Sequence, residues 1–320
     1  MDWKISNLKS LNRNTKAIAL IAIFAALYAA LRIIPTVPMV GTGATFHLSD
    51  ILAPLFGILL GPYVGGVSII IGTFAAIGLG TPAPFFGLDF LPALVVAVSL
   101  GFLVKGKWLP VVILNILLLV GYAVNPLTVN FIVTPWGAVP YLWMHIAAFL
   151  VLLSPLGRKA GRWIKEDTAT KVRKPTQKYV VTLAAGLAGL IVGAILLLQA
   201  LTTSEAYTLA ASITGAIVII GSSAVVIFKA RIAKITIGFA VLAFIGTMMQ
   251  HLMGGVLYET ILGQLTGSIK PEAFVATWNF VFYIYPWERL ALIIGAVLVG
   301  VPVTRALRRF ISSQDAKPAA

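Results

Sequence analysis

The chain has no cysteine, which excludes disulfides, thiolate metal sites and cysteine nucleophiles and leaves the redox compartment open. Charge is also scarce: only 11% of its 320 residues are Asp, Glu, Lys or Arg, against about a quarter in soluble domains. Three histidines in distant segments give no metal-ligand spacing, and neither HExxH nor GxSxG occurs. Gly101 to Lys107, GFLVKGK, copies the spacing of a phosphate-binding loop, but Trp108 stands where a Ser or Thr would hold magnesium. An apolar helix precedes it where that motif requires a strand. No enzyme activity and no cofactor is implied.

What the chain has is apolar length. Hydrophobic residues make up 59% of it and its mean hydropathy is +0.99, so lipid is its solvent. The expected fold is all-α, a polytopic helical bundle in the cell membrane. Crossing about 30 Å of hydrocarbon takes roughly 17 to 25 helical residues. Runs of that kind cover 17–35, 107–124, 138–155, 179–201, 207–228, 235–262 and 288–306. Between Leu48 and Leu103 the apolar stretches are cut by Pro54, Gly61-Pro62, Gly80 to Pro84 and Pro92. Three short or bent spans are expected there, at 48–61, 63–80 and 89–104, with a tight turn at Gly61-Pro62-Tyr63. The total is ten crossings.

Lys and Arg cluster at the ends of these runs. With both termini cytoplasmic, 21 of the 24 basic residues fall in inside segments, leaving Arg32, Lys270 and Arg289 on the outer side. The net charge of +14 therefore follows from insertion and membrane lipid contact, with no nucleic-acid partner implied. The first apolar run is longer than a signal core and lacks a small-residue cleavage site after Arg32, so a retained span is expected.

Residues 156–178, LGRKAGRWIKEDTATKVRKPTQK, read as a basic cytoplasmic linker beside anionic headgroups, separating six spans from four. No repeat relates the two blocks.

Polar residues at membrane depth are costly and face a cavity or a partner. Under this topology they gather on the outer side: His47, Asp50, Asp89, Asn125, Asn130, Glu259 and Glu288, with His145, Gln250 and His251 deeper. Each also has a structural reading. Asp50, Asp89 and Glu288 sit in first turns, where a carboxylate caps free N–H groups. Arg32 could pair with Asp50, and Arg289 with an outer carboxylate. His145, Gln250 and His251 could bond a neighbouring helix. The outer aromatics Phe85, Phe86, Trp136, Trp143, Trp278, Phe280, Phe282, Tyr283, Tyr285 and Trp287 suit an interfacial belt, from which a few could close over a planar ligand.

The first span carries Ala25-Ala26-Leu27-Tyr28-Ala29-Ala30, two overlapping pairs of small residues four apart that let another helix approach. Gly57, Gly61 and Gly65 repeat the interval, as do Ala185, Gly189 and Gly193.

These features resemble a known family. The alanine-rich first helix, the Gly/Pro/Thr-rich loop Pro35 to Thr45, the run LSDILAPLFGILLGPYVGGVSIIIGTFAA from Leu48 and GLDFLPALV from Gly87 are similar to the S component of energy-coupling factor transporters. MMQHLMGGVLYE from Met248 and YPWERLALIIGAVLVGVPVTRALR from Tyr285 are similar to its last two helices. The family has six spans, so the resemblance implies an insertion. The expected organisation is 1–105 as S-component-like helices, 106–155 and 179–234 as inserted spans around the linker 156–178, and 235–320 as the closing helices and tail.

The resemblance implies a subunit that captures a vitamin-like small molecule from outside under a lid, Pro35 to His47. It docks through Ala25, Ala26, Ala29 and Ala30 on a membrane coupling subunit driven by cytoplasmic ATPases. The family's ligand residues vary with substrate. On physical grounds the ligand-binding candidates are His47, Asp50, Asp89, Asn130, Gln250, His251, Glu259 and Glu288. The alternatives are an autonomous ion-coupled secondary transporter, suggested by ten spans and intramembrane carboxylates, and a membrane enzyme or scaffold.

Overall fold

The computed structural model describes residues 2–39, 45–135, 137–166 and 234–315. The chain divides into two compact units, 1–166 with 235–320, and 167–234. The second unit lies outside the described residues, and with it the spans expected at 179–201 and 207–228.

The first unit is built from helices, as its composition requires. Among the described residues, four stretches are long and apolar enough to cross a bilayer: Asn14–Arg32, Leu48–Gly78, Lys234–Leu265 and Pro271–Leu307. Shorter apolar helices accompany them, so the protein is a helical membrane protein. Two small antiparallel hairpins interrupt the helices, β1 (Pro35–Pro38) with β2 (Thr45–His47) and β3 (Phe131–Thr134) with β4 (Gly137–Pro140).

Helix α1 (Asp2–Arg32) leads into β1 and β2, and a single 3-10 turn, Leu48–Ile51, opens α2 (Leu52–Gly78). Gly61 breaks α2 with φ +78 and ψ 178, a conformation open to glycine, and Pro62 starts the second limb. A methyl group on Gly65 would lie 2.8 Å from the Phe56 carbonyl oxygen. Nine residues of straight helix would hold those positions about 13 Å apart, so the chain folds back on itself. The turn expected at Gly61-Pro62-Tyr63 is therefore present.

Helix α3 (Leu91–Val104) runs alongside that hairpin. A methyl group on Gly57 would lie 2.4 Å from the Ala97 carbonyl, and one on Gly101 would lie 2.3 Å from the Pro62 nitrogen. The C-terminal end of α3 therefore sits at the turn, where Lys105 lies 5.3 Å over the Tyr63 ring. On the other side, Gly72 admits the Ala25 carbonyl, to which an added Cβ would come within 2.7 Å. Small residues thus let backbones meet where lipid offers no hydrophobic drive for association.

Helix α4 (Leu109–Ala123) lies within the span expected at 107–124 and, at 15 residues, is one of the shorter apolar helices. The span expected at 138–155 is different: Gly137–Pro140 is β4, and only α5 (Trp143–Leu153) is helical. Thr134 and Gly137 close a strand pair between α4 and α5, with Thr134 Oγ1 donating to the Gly137 carbonyl at 2.7 Å.

The linker's first half is no solvated loop. It forms α6 (Pro155–Glu166), which buries Gly157, Ala160, Gly161 and Ile164. A methyl on Gly161 would meet the Leu103 carbonyl of α3 at 2.6 Å. The opposite face carries Arg158, Lys159, Arg162 and Lys165, with Arg158 4.5 Å over the Trp108 ring.

Helix α7 (Lys234–Leu257) continues as a π-helical segment, Tyr258–Leu265. Helix α8 (Pro271–Asp315) is the largest departure from expectation. The outer aromatic loop and the span at 288–306 are one continuous helix, with Pro286 inside it. Proline removes one N–H and usually ends a soluble helix, but neighbouring helices allow it within a membrane.

Candidate functional site

One end of this unit holds a cavity of about 150 Å³. A single water needs roughly 10–15 Å³ by the same measure, so there is room for an organic molecule. Its wall follows from helical periodicity. On α7, Gln250, His251, Gly254, Gly255 and Tyr258 share one face, and on α8 Thr277, Trp278, Val281, Ile284, Tyr285, Glu288 and Arg289 do so. The end of α1 supplies Arg32, the described ends of the first loop supply Met39, Thr45, Phe46 and His47, and Asp50 and Asp89 stand at the starts of α2 and α3.

Six of the eight proposed ligand residues line this cavity: His47, Asp50, Asp89, Gln250, His251 and Glu288. Asn130 and Glu259 do not. Asn130 donates to the Ala123 carbonyl at 3.3 Å, closing the end of α4. Glu259 is fully buried, with the Thr128 hydroxyl 2.8 and 2.7 Å from its two carboxyl oxygens. That contact ties the loop after α4 to the π-helical segment.

The polar groups of the wall are held in place before any ligand arrives. Asp50 accepts from the Gln250 amide at 3.0 Å and from the His47 backbone N–H at 3.3 Å. The second bond is the return half of a capping box, so helix initiation and cavity lining are both true of Asp50. Asp89 accepts from the backbone N–H groups of Phe85 (3.4 Å) and Gly87 (3.2 Å), which shapes the loop leading into α3. Glu288 caps no helix, because it lies in the interior of α8. It pairs instead with Arg289 at 2.8 Å. Arg32 is buried, and among the described residues no carboxylate lies within ion-pair distance of it. Burial pushes the His47 imidazole down to about 4, with the nearby Arg32 charge acting in the same direction.

Rings make up much of the remaining wall. His251 lies nearly parallel to Tyr285, with centroids 4.9 Å apart and planes at 16°. Tyr285 donates its hydroxyl to the Tyr141 carbonyl at 3.2 Å. Tyr141 and Trp278 meet edge to face at 5.4 Å. Trp278 and Tyr285, expected in the interfacial belt, therefore face the site, as do Arg32 and Arg289, expected to be structural. Arginine at membrane depth was the available signal for the last two.

The model of the ECF-type riboflavin transporter S component family matches residues 12–154. Over that region the chain is similar to the S components of energy-coupling factor transporters. No curated protein matches it, and no solved structure does. S components of that family are substrate-binding subunits for vitamin uptake that work with membrane and ATPase modules, and the family is one of transporters. The family match runs through α4 and α5 to residue 154, which the expected domain division assigned to the insertion.

The small-residue face of α1 is divided between the interior and the surface. Ala25 and Ala29 are buried inside the protein, Ala25 against the second limb of α2, whereas Ala26 and Ala30 are exposed beside Ile23 and Leu27. The close approach of Gly72 to the Ala25 carbonyl is the reason. Of the four alanines, only Ala26 and Ala30 are open to a partner.

Proposed function

We propose that this S component captures riboflavin, or a closely related uncharged flavin, in the cavity described above. The observation that carries this reading is the combination of a ring-rich wall with a balanced polar set, in a chain whose family model is named for riboflavin. A flavin has a large planar heteroaromatic system and a chain of hydroxyls. Trp278, Phe280, Tyr285 and His251 suit the plane, and His47, Asp50, Asp89, Gln250 and Glu288 suit hydroxyl and ring-edge hydrogen bonds.

The wall carries two arginines and three carboxylates. Each carboxylate already has a partner within the protein, and neither sign dominates. Such a wall favours a neutral ligand and disfavours a phosphorylated one, which would set its anionic charge against Asp50, Asp89 and Glu288.

The cavity sits at the end of the bundle opposite Lys105 and α6, so the positive-inside rule puts its mouth on the outer side of the cell membrane, with the loop Pro35 to His47 as lid. A membrane coupling subunit docks on Ala26 and Ala30 and is driven by cytoplasmic ATPases. The compact unit 167–234 is the inserted segment, with the spans expected at 179–201 and 207–228 preserving the even count and both cytoplasmic termini.

The test is titration of the purified protein in lipid nanodiscs, following quenching of flavin fluorescence. Saturable binding of riboflavin, at least ten-fold tighter than of its 5′-phosphate, is expected. Equal binding of both, or binding of neither, would overturn the reading.

A further inference from the structure

We infer that His251 presents its Nε2–H to the bound solute as a hydrogen-bond donor, and that His145 fixes it in that tautomer. His145 Nε2 and His251 Nδ1 lie 2.9 Å apart. Two uncharged imidazoles at that distance share one proton, so one must donate and the other accept. The environment of the remaining nitrogens decides which.

His145 is buried, and its Nδ1 has no partner. If His251 were the donor, the proton of His145 would sit on that Nδ1, as an N–H sealed inside the protein with nothing to receive it. Orphaned buried N–H groups are rare, and unpaired acceptors less so. The favoured arrangement therefore has His145 donating from Nε2 to a bare Nδ1 on His251. The proton of His251 is then on Nε2.

That nitrogen has somewhere to go. His251 lines the cavity, and among the described residues its Nε2 has no hydrogen-bond partner and is not sealed from the cavity. The ring lies nearly parallel to Tyr285, with centroids 4.9 Å apart and planes at 16°, and nearly coplanar with His145, edge to edge across their hydrogen bond, with planes at 12°. Tyr285 is itself anchored on the Tyr141 carbonyl. A donor fixed in this way selects a ligand with an acceptor in the plane of its ring system, a carbonyl oxygen or a bare ring nitrogen. His251 is thus a specificity-determining residue and His145 a positioning residue acting through it. The identity of the ligand rests on the flavin reading; the tautomer does not.

The chain has only three histidines, which makes the test direct. Long-range proton–nitrogen correlation spectra of the full chain, labelled with 15N-histidine in nanodiscs without ligand, report the protonated nitrogen of each ring. A bare Nδ1 and protonated Nε2 on His251 are expected. The reverse tautomer would overturn the assignment. His145→Phe removes the donor while keeping a ring at the same place, and His251 should then become a mixture of tautomers; an unchanged His251 spectrum would show that His145 does not set it.

Riboflavin titration supplies the second readout. His251→Phe should weaken binding about five-fold or more, the worth of one hydrogen bond, and His251→Gln, which keeps an N–H near the same place, should recover most of it. Affinity unchanged in His251→Phe would overturn the donor role. If the wild-type chain shows the assigned tautomers but does not bind riboflavin, the flavin reading fails while the donor assignment stands.

Discussion

Gln250 on α7 donates its side-chain amide to Asp50 at the start of α2, 3.0 Å away and 200 residues distant in sequence. The bond joins the amino-terminal hairpin to the carboxy-terminal half across the cavity wall. Gln250→Leu leaves Asp50 with the His47 N–H and the neighbouring arginine charges. Loss of one hydrogen bond to a charged group is worth about 1.5–3 kcal/mol, so riboflavin affinity should fall by more than about ten-fold. Binding measured by fluorescence quenching on the folded variant checks this; affinity within two-fold of wild type would detach the pair from the site.

The exposed and buried alanines of α1 should behave oppositely. Ala30→Trp adds a ring to an exposed position, so binding should persist while ATP-driven uptake with the partner modules is lost. Ala29→Trp drives the same ring into the packing with α2 and should lower stability by about 1–3 kcal/mol. Riboflavin binding and uptake, measured on both variants beside a thermal melt, separate the two. Uptake at the wild-type rate in both Ala26→Trp and Ala30→Trp would remove this face as the docking surface.

Glycine substitutions test the backbone approaches. A methyl on Gly101 would lie 2.3 Å from the Pro62 nitrogen, whereas one on Gly78 meets nothing within 4 Å. Gly101→Ala should therefore destabilise by about 1–3 kcal/mol, and Gly78→Ala should be neutral or slightly stabilising. Melting temperatures in one detergent give the comparison, and equal melts for the two variants would refute the close packing at the turn.

The distribution of what the sequence revealed follows from how local each signal is. The Gly61-Pro62 turn was legible because only a few residues can reverse a chain there. The carboxylates of the cavity were legible because charge at membrane depth needs a reason. Helix α8 was expected only at 288–306, because that is its apolar run, while the helix itself extends back to Pro271 and keeps Pro286 inside it, which neighbouring helices allow. The role of Glu259 depended on Thr128, 131 residues away, and that of Asn130 on a carbonyl at the end of the preceding helix, Ala123, and no spacing announces either pair. Ala25 and Ala26 look alike in sequence; what separates them is Gly72, more than forty residues on, which takes one and leaves the other exposed.

His47 gives the molecule a pH dependence whose sign can be worked out. Its folded-state value is lowered to about 4 from the ordinary 6.5. Above 6.5 both folded and unfolded chains hold it neutral, and it contributes nothing to a pH slope. As the pH falls from 6.5 towards 4, the unfolded chain takes up a proton that the folded chain refuses, so stability decreases through that window. His47→Gln should flatten part of the decline in melting temperature between pH 6.5 and 4 and leave the region above pH 7 unchanged. A decline of identical slope in the variant would assign the effect to other groups.

Thr128→Val tests whether Glu259 is a structural residue. The hydroxyl at 2.7–2.8 Å is the contact that satisfies this buried carboxyl from the loop after α4. Valine keeps the shape and removes the oxygen, so the carboxyl loses a partner it cannot replace with water. Leaving such a group unsatisfied costs about 1–3 kcal/mol, which a melt in detergent should register. Glu259 lies outside the cavity wall, so riboflavin affinity of the folded Thr128→Val protein should stay within about two-fold of wild type. A loss of affinity at unchanged melting temperature would reverse the assignment and return Glu259 to the ligand.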